Sequence, residues 1–272
     1  MKYLCPKCKA PLTVTESGVA KCPLGHSYDR AKEGYYNLLL SSAGGTHGDN
    51  REMLLARRAF LDTGAYLPLV ERVAKLACEH TRAGGVLLDL GCGEGYYTHI
   101  INEKAKNANK DLHILGFDIS KEAVRLAAKR DKALSLAVAS SYDIPLADGS
   151  VDTAVNVFSP LALEETARVL CTGGVFIMAI PAERHLFGLK SVLYDTPYLN
   201  TVDSDELSGF ELISREKIAY ELVLDTPEKA HSLFMMTPYA YRTSAAGRMR
   251  LSALTSLVTE VEFYLFVYRK IQ

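Results

Sequence analysis

No run of 18 or more apolar residues occurs anywhere in the sequence, so no segment is expected to cross a membrane as a helix. The opening stretch Met1-Lys2-Tyr3-Leu4-Cys5-Pro6 lacks the apolar core of a signal peptide, and the expected location is the cytoplasm. Cysteine is sparse. Six in 272 residues cannot build a disulfide scaffold, and their clustering points to a metal instead. Net charge is also nearly absent: 31 basic and 32 acidic residues leave −1, which excludes a generic polyanion binder. The balance is nevertheless uneven. Residues 1–60 hold nine Lys/Arg against five Asp/Glu, so a front end of +4 leaves −5 for the rest. Contact with nucleic acid is therefore expected at the front.

What is present is a chain of 48% hydrophobic residues, enough for one large domain with a small appendage. Residues 1–36 are dense in Cys, Lys, Tyr and turn residues. Residues 41–50 are small, polar and Gly-rich, which predicts a mobile linker. Met53, Leu54, Ala56, Phe60 and Leu61 then recur at helical spacing, Gly64 interrupts, and Leu67, Val70, Val73, Ala74 and Ala77 begin a second helix. From Gly85 onward, apolar runs at 86–90, 113–118, 134–139, 151–158 and 174–180 read as strands. Helical patterns at 95–106, 121–130 and 161–170 lie between them. Apolar strands alternating with helices predict an α/β fold with a mostly parallel, doubly wound sheet. The run Val261–Tyr268 is expected to enter that sheet as a last strand.

Cys5, Cys8, Cys22 and His26 form the pattern C-x2-C-x13-C-x3-H. Two intervening residues let Cys5 and Cys8 reach one ion from a tight knuckle, and thirteen more make a short hairpin that returns the second pair. Thiolates with imidazole suit tetrahedral zinc, and four protein ligands leave no open position, so the predicted ion is structural. A module this small has too little core to fold unaided. The alternative is a reduced redox pair with two stray residues, against which Pro6 speaks. Lys7, Lys9, Lys21, Tyr28, Arg30, Lys32, Tyr35 and Tyr36 interleave around the site, offering phosphate contacts and base stacking. For any one of them, an ordinary solvated surface is the simpler reading.

The stretch Asp89-Leu90-Gly91-Cys92-Gly93-Glu94-Gly95-Tyr96 follows a strand and opens a helix. A dinucleotide fingerprint requires glycine at 96, where Tyr96 stands. The spacing G-x-G-x-G behind Asp89 resembles motif I of Rossmann-like, class I methyltransferases that use S-adenosylmethionine (SAM). Asp118 closes the next strand, where this class places an acid on the ribose hydroxyls. Ser140–Leu146 takes the place of the adenine-binding loop, and Val151–Pro160 that of the strand entering the catalytic cleft. Phe158-Ser159-Pro160 lacks the Asn/Asp-Pro-Pro-Tyr/Phe motif of exocyclic-amine methylation. Cys78, Cys92 and Cys171 have no nucleophile setting, which disfavours cysteine-assisted C5 chemistry.

The zinc pattern, His26–Leu39, Ala56-Arg57-Arg58-Ala59-Phe60-Leu61-Asp62-Thr63-Gly64-Ala65-Tyr66 and the loop at 89–98 together resemble the RlmA family of 23S rRNA (guanine-N1)-methyltransferases. The likeness covers nearly the whole chain, including Pro181–Leu186 and Met235–Ala240. It implies zinc on Cys5, Cys8, Cys22 and His26. It also implies SAM contacts from Tyr66, Gly93, Glu94, Gly95 and His185, which join Asp89, Gly91 and Asp118 from the class motifs. A homodimer with one RNA-binding cleft and methylation of guanine N1 in a hairpin of 23S rRNA are further implications; the sequence names no general base. The expected division is a zinc-binding RNA-recognition module at 1–36, a linker and helical cap over the cofactor at 37–82, and the methyltransferase domain at 83–272. Three rival readings stand beside this one: a small-molecule SAM-dependent methyltransferase with a purely structural zinc module, methylation of a different RNA base, and a non-catalytic RNA-binding or scaffold protein that has lost SAM.

Overall fold

The computed structural model describes residues 3–40, 49–202 and 205–271. Three strands of two residues each, β1 (Thr13–Val14), β2 (Ala20–Lys21) and β3 (Ser27–Tyr28), pair antiparallel in that order as a small ribbon. Strands so short hold no fold by hydrogen bonding alone. The chain then leaves the ribbon through β4 (Tyr36–Asn37), which pairs in parallel with the large sheet. The module boundary expected after residue 36 thus falls inside a strand of the sheet.

Helices α1 (Arg51–Leu61) and α2 (Leu67–His80) lead into the alternating part. That part runs β5 (Val86–Leu90), α3 (Tyr96–Asn107), β6 (His113–Asp118), α4 (Lys121–Arg130), β7 (Ser135–Val138), β8 (Val151–Val157), α5 (Leu163–Val169) and β9 (Leu170–Pro181). It closes with α6 (Phe187–Leu193), β10 (Phe210–Leu224), α7 (Pro227–Met235), α8 (Tyr239–Arg242), α9 (Ala245–Ser252) and β11 (Leu257–Lys270). The sheet order is β10-β11-β9-β8-β5-β6-β7-β4. Strands β4 to β9 are mutually parallel, and β11 alone runs against both neighbours. The mostly parallel α/β sheet is as the sequence pattern predicts. β10 was not foreseen, and β11 extends well beyond the expected 261–268.

Successive side chains of a strand point to opposite faces, and here they feed two cores. Leu87, Val155 and Ile177 pack with Val70 and Val73 of α2, Ile101 of α3 and Val124 of α4. Leu88, Ala154 and Phe176 face the other way, into a core containing Tyr3, Leu12, Ala20, Tyr36 and Leu38. The ribbon therefore covers part of one sheet face, where Tyr3 and Phe117 meet at 5.6 Å between ring centroids.

The linker expectation divides. Residues 41–48 lie outside the described residues, whereas Asp49 and Asn50 are fixed: Asn50 caps α1 by accepting from the Met53 N–H, and Asp49 pairs with Arg57 at 2.5 Å.

Candidate active site

The four predicted metal ligands converge, their donor atoms all within 4.8 Å of one another. Cys8 Sγ lies 3.6 Å from Cys22 Sγ, and His26 Nδ1 lies 3.5 Å from Cys5 Sγ and 3.4 Å from Cys22 Sγ. Tetrahedral zinc with bonds of about 2.3 Å to sulfur needs edges of about 3.8 Å, so this donor set fits the ion. Two turns create the knuckles. The Lys9 N–H returns to the Cys5 carbonyl at 2.8 Å, and the Gly25 N–H to the Cys22 carbonyl at 3.0 Å, with Gly25 at φ 82°. Burial opposes ionisation of Cys5, but the Tyr28 hydroxyl and the Cys8 and Lys7 N–H groups outweigh it, bringing the thiol down to about 6.

The interleaved side chains separate into two kinds. Tyr35 and Tyr36 are buried, and the Tyr36 hydroxyl donates to the Gly18 carbonyl, so both dock the ribbon rather than offering ring faces to a base. Lys9 pairs with Asp143, while Lys7, Lys21 and Lys32 are exposed with no acidic partner among the described residues. The Leu4 N–H also donates to the Pro145 carbonyl, so the ribbon grips the loop that follows β7.

That loop bounds the main cavity, a cleft of about 690 Å3 at the carboxyl ends of β5, β6 and β8. Tyr66, Gly91, Gly93, Glu94, Asp118 and His185, all expected at the cofactor, line it together. Gly91 has φ 73°, and a Cβ there would lie 2.2 Å from Ser159 Oγ, so only glycine lets the loop cross β8's end. Asp118 accepts from the Gly93 N–H at 3.0 Å and the Ser120 N–H at 2.7 Å. Burial raises its pKa, with these two bonds working in the opposite direction. Two of roughly four lone-pair sites on the carboxylate are thus used, which leaves acceptors for a ribose.

Asp89 and Gly95 stand behind the lining. Asp89 accepts from Thr98 Oγ1 at 2.5 Å and is pushed up to about 6 by burial. Gly95 starts α3 at φ 86°, and its missing side chain admits Ala127 of α4, which a Cβ would approach to 2.8 Å. Both support the loop from within. Glu94 is gripped by Arg130 Nη2 at 2.6 Å and Arg58 Nε at 3.1 Å.

His185 is ordered from the far side. The Glu262 N–H donates to its Nδ1 at 3.3 Å, so the ring proton sits on Nε2, which faces the Tyr66 hydroxyl at 3.4 Å. Burial, reinforced by Lys190, pushes this imidazole down to about 3, and it stays neutral at physiological pH. With its oxygen receiving from His185, the Tyr66 hydroxyl has its own proton to donate into the cavity. Two buried polar atoms on the lining, Glu94 Oε1 and the Tyr97 hydroxyl, have no partner among the described residues. A polar ligand such as the amino-acid end of SAM would satisfy them.

Sequence reasoning gave no individual role to three contributors, although Phe158 lay in the segment expected to enter the cleft. Asp49 and Arg57 enter the cavity from α1 and the residues before it, although Arg57 lay in the quoted Ala56–Tyr66 segment. Phe158 takes a left-handed backbone at φ 59°, is 40% exposed, and meets Tyr66, Tyr97 and Phe263 edge-on or tilted. Met236, Thr237 and Pro238, between α7 and α8, and Tyr239, which opens α8, also line the cleft.

Comparison with known proteins agrees with this geometry. A family model described as "Methyltransferase domain" matches residues 81–226, and one described as "RlmA, N-terminal" matches residues 3–41. The chain is 35% identical over 236 residues to the 23S rRNA (guanine(748)-N(1))-methyltransferase of Streptomyces fradiae, covering 83% of this chain and 81% of that one. A Micromonospora griseorubida protein, named provisionally as a 23S rRNA (guanine-N(1)-)-methyltransferase, is 31% identical over 278 residues, 94% and 92% of the two chains. Among solved structures, the YcgJ protein of Bacillus subtilis superposes with a TM-score of 0.50 at 15% identity, covering 75% of this chain and 98% of that one, which shows the fold.

Proposed function

Because the chain belongs to the RlmA family of zinc-ribbon-bearing, SAM-dependent rRNA methyltransferases, we propose that it methylates N1 of a guanine in a hairpin of 23S rRNA. The observation that carries this reading is the joining of ribbon and cleft. The ribbon holds the loop whose Ser140, Ser141 and Tyr142 line the cavity, so a module suited to RNA borders the cofactor directly. The cleft is also open: Tyr142 is 68% exposed at its rim, unlike the closed acceptor pocket of a small-molecule enzyme.

Bound SAM supplies an electrophilic methyl group on a sulfonium. The chain's part is to present N1 in line with it, and positioning of this kind accounts for a large share of such catalysis. Phe158 and Tyr239 offer ring surfaces for a planar base at the acceptor end. Neutral guanine carries a proton on N1, and each carboxylate among the described lining residues has at least one oxygen committed, although Glu94 Oε1 stays open. Asp49 pairs with Arg57, Glu94 with Arg58 and Arg130, and Asp118 with two backbone N–H groups. His185 Nδ1 is occupied by Glu262. The N1 proton has two outlets in this geometry, the open Glu94 Oε1 and water at the exposed mouth of the cleft. A cytoplasmic homodimer presenting two ribbons to one RNA belongs to the same reading, and sedimentation with and without RNA checks it. Among the described residues, no helix is long and apolar enough to cross a membrane.

The test is methyl transfer from labelled SAM to 23S rRNA and its hairpin fragments, followed by primer extension, which stops where N1 is blocked. A stop at one guanine is expected; modification of another base, or of small molecules only, overturns the reading. Replacing Lys7, Lys21 and Lys32 with Gln should weaken RNA binding and flatten its salt dependence by up to about one unit of slope per lost contact, with SAM affinity unchanged.

A further inference from the structure

A second groove, of about 640 Å3, adjoins the cleft and shares Pro181 and Asn200 with it. Met178, Ile180 and Phe266 form its floor, and Tyr198 and Leu199, 48% and 51% exposed, its rim. Tyr198 is firmly held. Lys190 Nζ lies 4.4 Å from its ring centroid, donates to its carbonyl at 3.1 Å and reaches Asn200 Oδ1 at 2.6 Å. Lys190 is wholly buried, a costly placement for an ammonium, and its bonds are spent on fixing residues 198 and 200. The ring of Tyr194 braces Tyr198 further, at 5.6 Å and a 44° tilt. The result is an aromatic platform with a cation against it and about half of its surface open.

On the same side runs α8, whose first residue Tyr239 packs edge-on against Tyr194 at 6.2 Å, and at its end stands Arg242, exposed and with no carboxylate partner among the described residues. Arg242 belongs to residues 229–259, which contain four Lys/Arg and no Asp/Glu, in a part of the chain that is otherwise acidic. An RNA strand that delivers one base into the cleft must lay its neighbour across the adjoining surface. A ring face and an unpaired guanidinium are the groups that take a base and a phosphate.

We propose that this groove is a subsite for the nucleotide next to the target guanine, with its base on Tyr198 and its phosphate facing Arg242. The inference rests on the rRNA reading above. The test compares hairpin RNAs that are intact or abasic at either neighbour of the methylated guanine, with sugar and phosphate kept. Turnover is measured for the wild-type chain, Tyr198→Ala, Tyr198→Phe and Arg242→Gln, and SAM affinity by calorimetry confirms that each variant is folded. The abasic substitution on one side should cost the wild type about tenfold, as expected for one lost stack. Tyr198→Ala should lose about as much on intact RNA and nothing further on abasic RNA, and Tyr198→Phe should retain activity. Arg242→Gln should lower the salt slope by about one. If the abasic RNA costs Tyr198→Ala as much as it costs the wild type, or costs neither, the subsite is wrong. Failure of the wild type to methylate any 23S RNA overturns the rRNA reading itself and the groove with it.

Discussion

The ribbon and the large sheet are held together by different means. The ribbon's three strands are two residues each and largely exposed, so its shape comes from four ligands around one ion. The sheet's central strand β5 is buried along its whole length between two cores and needs no metal. Yet the two regions are not independent, because Tyr3, Leu12, Tyr36 and Leu38 of the metal-held part complete one of those cores. A metal-dependent element thus serves as cover for a packing-dependent one.

The strongest challenge to that contrast is Cys8→Ser. Apparent zinc-binding energies in small modules are about 10–16 kcal/mol, so losing the ion should abolish the ribbon fold. If the ribbon were an appendage, the remainder would melt unchanged. The shared core instead predicts loss of about one zinc per chain together with a lower Tm for the whole protein, read by metal analysis and calorimetry. A normal Tm without zinc would show the ribbon to be dispensable cover.

Asp118→Ala probes the sheet side alone. It removes a charged hydrogen-bond acceptor, and such bonds contribute about 1.5–3 kcal/mol. SAM affinity should fall about tenfold or more, while zinc content stays at the wild-type value. Unchanged calorimetric affinity would assign this carboxylate solely to holding the Gly93 and Ser120 N–H groups.

The smallest effect is a pH signature confined to the sheet. His185 is held near 3, below its unfolded value of 6.5, so its contribution to stability is complete above pH 6.5 and is lost as pH falls towards about 3. The stability deficit of His185→Gln relative to wild type, measured by urea titration, should therefore shrink between pH 6.5 and 4. A constant deficit would show that the imidazole is charged in the folded state.

Much of this architecture was legible because parallel strands buried on both faces are continuously apolar. Val86–Leu90, His113–Asp118 and Val151–Val157 stand out for that reason. β10 did not, because an edge strand carries charge on its outer side. Its Ile218, Tyr220 and Leu222 alternate with Ala219, Glu221 and Val223, a two-residue period that was there to be read. The zinc ligands were fixed by spacing alone. Phe158 lay in the strand segment expected at the cleft, but Arg57 and the Met236–Tyr239 lip had no such signal, since each reaches the cleft through tertiary packing rather than a local pattern. His185 was reached through family likeness. Its ring orientation depends on a backbone N–H 77 residues away, which no local pattern records.

The crossing of Gly91 over Ser159 limits how sequences of this type can diverge. With 2.2 Å between a Cβ at 91 and the Ser159 hydroxyl, neither position can gain bulk while the other keeps its place. Relatives that retain this crossing should keep glycine at 91 and a small residue at 159, whatever RNA they act on. Phe158 and residues 236–239 line the same cleft outside this crossing, and they are the positions freer to vary.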